Sequence, residues 1–91
     1  MLKVRVAKQF KKNYKQAQKR GFNMLLLDNI IIQLANEKPL DAKHKDHALK
    51  GTLKDYRECH VTPDWLLMYK IEKTILTLTL IDTGSHANLF G

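Results

Sequence analysis

Cysteine is all but missing from this 91-residue chain, where Cys59 stands alone. No disulfide framework can form within one chain, and a reducing cytosol is the fitting compartment. Long apolar runs are missing as well. The longest uncharged apolar-rich stretch, Ile75 to Ile81, contains two threonines and falls far short of the ~20 residues that a membrane span needs. The basic N-terminal stretch contains no apolar segment of the signal-peptide kind, so no leader is expected and no membrane partner. Internal repeats, low-complexity tracts and linkers are absent too, so one domain covering residues 1–91 is expected. Acidic residues are missing from the first twenty positions, which hold Lys3, Arg5, Lys8, Lys11, Lys12, Lys15, Lys19 and Arg20.

What is present is a basic, ordinarily apolar composition. Sixteen Lys and Arg stand against nine Asp and Glu, a formal net charge of +7, with 44% hydrophobic residues. A chain of this size buries roughly 60–65% of its unfolded surface, enough for one compact core. The clustered positive charge suits a polyanion, either nucleic acid or an acidic protein. A solvated helix face would account for the same charge.

Residues Leu2 to Val6 alternate apolar and basic, which predicts a short strand. From Ala7 the period changes: Phe10, Tyr14, Ala17 and Gly21 recur at helical spacing, and Gly21 suits the position just past a helix end. Asn23 can cap a second helix whose apolar stripe is Leu27, Ile30, Ile31, Leu34 and Ala35, and which must stop before Pro39. Leu40 to Leu53 reads as the only long loop, carrying His44 and His47. Tyr56 to Tyr69 is the stretch around which the chain is organised. Two apolar, aromatic-rich runs flank Thr62-Pro63-Asp64, a turn signal, so a β-hairpin is expected. Lys70 to Thr74 reads as a connecting turn and Thr74 to Ile81 as a last strand, with Leu76, Leu78 and Leu80 on one face. Gly84 permits a sharp turn that returns His86 to the sheet. The expected fold is α+β, in the order β-α-α-β-β-β. Two helices cover one face of a twisted antiparallel sheet, and the other face is left concave and polar.

His47, His60 and His86 lie in three segments that this topology brings to one end of the sheet, with Asp64 in the turn beside His60. Histidine both accepts and donates protons near neutral pH. Two or three histidines with a carboxylate can run general acid–base catalysis. With Lys and Arg on the phosphate, one natural reaction is RNA cleavage by its own 2′-hydroxyl, which needs a base, an acid and positive charge but no metal or other cofactor. Three rival readings involve the same residues. His44-x-x-His47 with Asp64 or Cys59 matches no compact zinc pattern. Cys59 is next to His60, but neighbours in a strand point to opposite faces, so Cys59 is expected in the core rather than as a nucleophile. Trp65 and Tyr69 can stack on bases or pack in the core. Alternation places Tyr56, Glu58 and His60 on one face and Arg57, Cys59 and Val61 on the other, so Arg57 reaches the site of His60 only through a bulge.

Three ordered stretches carry a resemblance: Lys45 to Gly51, Tyr56 to Lys70, and Thr83 to Phe90. Together they resemble the YafQ-type toxins of bacterial toxin–antitoxin pairs, within the RelE/ParE superfamily, and the likeness spans nearly the whole chain. The resemblance implies a cytoplasmic endoribonuclease that enters the A site of the 70S ribosome and cuts the mRNA there. It implies a cognate, acidic-leaning antitoxin as partner, and a toxin–antitoxin complex that binds operator DNA. His47, His60, Asp64 and His86 fall on the family's catalytic positions, with His86 as proton donor, His47 and His60 as base or phosphate ligands, and Asp64 orienting a histidine. Phe90 falls on a substrate-placing position; Arg57, Trp65, Lys50 and Lys54 complete the expected RNA contacts. One departure stands out: many relatives carry Arg where this chain has Asp82. The superfamily also contains non-catalytic gyrase poisons. A module of that kind, or a plain nucleic-acid binder of the same fold, is the alternative reading, and neither requires a histidine cluster.

Overall fold

The computed structural model describes residues 1–90, the side chain of Phe90 excepted. Its elements are β1 (Lys3–Val6), α1 (Lys8–Lys19), α2 (Met24–Ala35), β2 (His47–Ala48), β3 (Arg57–Thr62), β4 (Trp65–Glu72), β5 (Thr77–Gly84) and α3 (His86–Phe90). The strands form one five-stranded sheet in the order β1-β5-β4-β3-β2. From β2 to β5 the pairing is antiparallel, as expected, while β1 lies parallel to β5. A parallel pair needs a long crossover, and α1 and α2 begin it.

The helix ends follow from the residues there. α1 closes with the Phe22 amide donating to the Ala17 carbonyl (3.1 Å) and the Gly21 amide to Gln18 (3.0 Å), with Gly21 at φ +81°. This double closure requires a left-handed residue, which glycine supplies without strain. α2 ends the same way, the Lys38 amide reaching Gln33 (2.9 Å) and the Glu37 amide Leu34 (3.0 Å), but here Glu37 takes the left-handed conformation at φ 56°. The Asn23 side chain caps α2 by accepting from the Leu25 amide at 3.2 Å.

One core forms between the helices and the sheet. Phe10 and Ala17 of α1 and Leu27, Ile30, Leu34 and Ala35 of α2 meet Cys59, Leu67, Tyr69, Leu78 and Leu80 of the central strands. Among the described residues no helix is long and apolar enough to cross a membrane.

Three segments differ from the sequence expectation. The long loop is not structureless: two 3₁₀ turns, Ala42–His44 and Gly51–Leu53, bracket β2, in which His47 pairs with Glu58 and Ala48 with Arg57. The Lys70–Thr74 turn moves downstream, because β4 runs on to Glu72 and the chain reverses through Lys73–Ile75, with Leu76 left-handed and exposed. The sheet face away from the helices is not wholly polar. Leu66 and Met68, alternating with core-facing Leu67 and Tyr69, are buried on it.

A candidate active site on the open sheet face

Two neighbouring rungs of the sheet assemble the site. Register aligns His47, Glu58, Met68 and Asp82 across β2, β3, β4 and β5, and two residues along β3 a second rung aligns His60, Leu66 and Gly84. Residues two apart share a face and lie roughly 7 Å apart, and neighbouring strands are about 4.8 Å apart. His47, Glu58 and His60 therefore sit within one nucleotide's reach. His86 follows two residues after Gly84, where β5 ends and α3 begins. Asp64 lies exposed in the two-residue turn between β3 and β4, at the His60 end.

Backbone carbonyls fix the histidine tautomers. His47 Nδ1 lies 2.7 Å from the Lys45 carbonyl, His60 Nδ1 3.3 Å from the Pro63 carbonyl, and His44 Nδ1 2.7 Å from the His60 carbonyl. A carbonyl only accepts, so each Nδ1 carries the hydrogen and donates it. In the neutral ring the lone pair then lies on Nε2, the atom through which His47 and His60 would accept a proton. The His47 Nε2 lies 3.8 Å from Glu58 Oε1.

Glu58 joins these histidines, a residue for which no site role is expected from sequence. It is 4% exposed, and among the described residues its Oε2 has no hydrogen-bond partner. Buried carboxylate oxygens are rarely left so. Its place on the His60 face could be read from alternation, but its burial could not.

Arg57 is committed elsewhere. Its Nη2 lies 3.4 Å from Asp46 Oδ2, its Nε donates to the Tyr69 hydroxyl at 3.3 Å, and that hydroxyl donates to Asp46 Oδ1. The hydrogen bond to Tyr69, and then the one to Asp46, raise the Arg57 pKa. Burial and the Asp46 bond push the Tyr69 phenol well above its usual range. This clasp lies on the core side and anchors the residue just before His47. The bulge in β3 falls between His60 and Thr62, so it does not turn Arg57 to the histidine face.

Trp65 is also a core residue rather than a stacking platform. It is 4% exposed, its indole donates to Thr83 Oγ1 at 2.9 Å, and Phe22 packs edge-on against it at 5.0 Å. Lys50 and Lys54 are exposed around the Gly51–Leu53 turn, beside the His47 end of the sheet. The side chain of Phe90 lies outside the described residues.

Asp82 has a structural assignment. Its carboxylate accepts from Asn13 Nδ2 at 2.6 Å and from the Thr83 amide at 2.8 Å. In this chain position 82 ties β5 to α1. Cys59 is fully buried, and burial pushes its thiol up to about 12. No useful thiolate forms near neutral pH, which removes the nucleophile reading. Among the described residues no group of three or more His, Cys, Asp or Glu is arranged to hold a metal ion.

With this geometry in view, the relatives fit. Residues 2–91 match the family described as bacterial toxin of type II toxin–antitoxin system, YafQ. The chain belongs to the YafQ family. It is thus the toxin component of a type II toxin–antitoxin system. The mRNA interferase toxin YafQ of Escherichia coli K12 is 45% identical over 84 residues, 91% of this chain and 89% of that protein. A metal-bound toxin from Helicobacter pylori is 50% identical, with TM-score 0.94 over 99% of this chain and all of its own. The E. coli toxin in the DinJ–YafQ complex is 41% identical with TM-score 0.92, each chain being covered in full.

Proposed function

We propose that this toxin is an endoribonuclease, an mRNA interferase, that cuts mRNA in the ribosomal A site through the RNA's own 2′-hydroxyl. The observation that carries the reading is the pair of neighbouring rungs with His47 and His60 both holding Nδ1–H on a carbonyl. A 2′-hydroxyl at this face meets Nε2, the acceptor atom of the neutral imidazole. His60 takes its proton, His47 serving as the second base or as a phosphate ligand. The freed oxygen attacks the adjacent phosphorus. His86 gives a proton to the departing 5′-oxygen, and Asp64, beside His60, orients a histidine. Lys50 and Lys54 bring positive charge to the phosphate, since Arg57 is held by Asp46. Phe90 is assigned to substrate placement by its family position alone.

The relative in the DinJ–YafQ complex supports a cognate antitoxin as partner. A net charge of +7 and the acid-free basic segment favour an acidic one, and the toxin–antitoxin complex is proposed to bind operator DNA. Association should then slow as salt rises.

The test is expression without antitoxin, followed by primer extension on cellular mRNA. Discrete in-frame cuts are expected, with growth arrest relieved by His86→Ala. Arrest without cuts would favour the gyrase-poison alternative, and arrest undiminished in His86→Ala would remove that residue from the chemistry.

A further inference from the structure

A second feature adjoins the proposed catalytic end and shares residues with it. A cavity of about 270 Å³ opens between α1, the α1–α2 loop, the β3–β4 turn and the start of α3. That is just under the ~300–1,000 Å³ of sites for drug-sized ligands, and suits one planar heterocycle. Its α1 wall is Gln9, Asn13, Gln16 and Arg20. These positions follow helical spacing, so one face of α1 carries amides while Lys8, Lys11, Lys12, Lys15 and Lys19 occupy the others. Opposite stand Asp64, Ser85 and Asn88, and Phe22, 41% exposed, is also in the lining.

The hydrogen-bonding capacity is partly committed and partly open. Asn13 Nδ2 donates to Asp82, which leaves its Oδ1 as an acceptor. Asn88 Oδ1 accepts from the Ser85 amide and hydroxyl, which leaves its NH₂ as a donor. Among the described residues the side chains of Gln9, Gln16 and Arg20 make no hydrogen bond or ion pair. Neutral amides offering both donors and acceptors match the edge of a nucleobase. An exposed aromatic ring offers a stacking surface, and Arg20 offers a phosphate contact. Asp64 on the wall disfavours an acidic peptide there but not a neutral base.

We propose that this cavity is a nucleobase subsite of the RNA substrate. It takes the base next to the cut and selects it through Gln16 and its amide neighbours. The proposal rests on the nuclease reading. The cavity shares Asp64, Gly84 and Ser85 with the catalytic end, and His86 is the next residue, so a neighbouring nucleotide reaches it without leaving the site.

The test maps cuts on ribosome-bound mRNAs that differ in the nucleotides on either side of the cut, using wild type, Gln16→Ala and Gln9→Ala. Both glutamines are exposed, and a melting curve and antitoxin binding report that the variants are folded. The expected result is continued cutting with nucleotide preference reduced about tenfold, the scale of one lost base-edge contact. Unchanged preference in both variants overturns the proposal while leaving the nuclease reading intact. So does weakened antitoxin binding with unchanged preference, which would make the cavity an antitoxin contact. Uniform loss of cutting on every mRNA also overturns it, because rate and not base choice would then depend on the cavity. No cutting by the wild type would remove both the subsite and the nuclease reading.

Discussion

The two faces of the sheet treat their polar groups differently. On the helix side, Tyr69, Asp46 and Arg57 satisfy one another, and Trp65 donates to Thr83, whose hydroxyl donates on to the Leu66 carbonyl at 2.7 Å. On the other side, Glu58 is buried with one oxygen unpartnered among the described residues, and His47 and His60 present Nε2. The closed side supplies stability and holds the strands in register. The open side keeps hydrogen-bonding capacity in reserve, at some cost in stability, for a group that arrives from outside.

The largest effect should come from breaking the closed side. Trp65→Ala should destabilise by about 3–5 kcal/mol in urea unfolding. A variant of unchanged stability that only cleaves poorly would place Trp65 among the substrate contacts and break the comparison. Asp46→Ala should come next. It leaves the Arg57 charge and the Tyr69 hydroxyl without their acceptor, at about 1–3 kcal/mol, reduced by the partial exposure of the ion pair. It should also slacken the link that precedes His47. Cleavage by Asp46→Ala should then fall toward that of His47→Ala, and the double variant should be no worse than His47→Ala alone.

Glu58→Gln sharpens the contrast by sign. Replacing a buried, half-unpaired carboxylate by a neutral amide should leave stability unchanged or raise it by up to about 1 kcal/mol, while cleavage falls. Asp46→Asn should lower stability. Equal losses in the two variants, measured side by side, would mean that the faces are not different in kind.

The smallest effect is alkaline. Burial raises the Cys59 pKa from 9.0 to about 12 in the folded protein. Folding therefore favours the thiol. That contribution is complete below pH 9 and is lost as pH climbs toward 12, so the melting temperature should fall across this window. The fall should be shallower in Cys59→Ala. Tyr69, also raised, adds a decline of the same sign that Cys59→Ala retains.

Local signals carried much of the fold. Gly21, Asn23 and Pro39 marked the helix limits through backbone chemistry that acts within a turn, and the alternation around Leu78 and Leu80 marked the face of β5. β2 escaped because two residues show no periodicity; its partners are supplied by β3. α3 is short as well, at five residues, although Ser85 and Asn88 bond reciprocally at its start, the Asn88 amide donating to Ser85 Oγ at 3.2 Å. That Ser-x-x-Asn spacing was a visible clue. The histidines could be chosen from side-chain chemistry alone, but their tautomers depend on carbonyls that only the folded chain brings near. The Asp46 clasp joins residues up to 23 apart in sequence, beyond any local pattern. Asp82, the departure that stood out in the sequence, is a strut to Asn13 on α1, 69 residues away.

End-group analysis of the cut RNA tests the central claim most directly. Attack by the 2′-hydroxyl leaves a 2′,3′-cyclic phosphate on one fragment and a free 5′-hydroxyl on the other. Those ends should appear when purified toxin cuts ribosome-bound mRNA, and should vanish together in the His47→Ala/His60→Ala double variant. A 3′-hydroxyl with a 5′-phosphate would show that water, not the RNA, is the nucleophile, and would contradict the account.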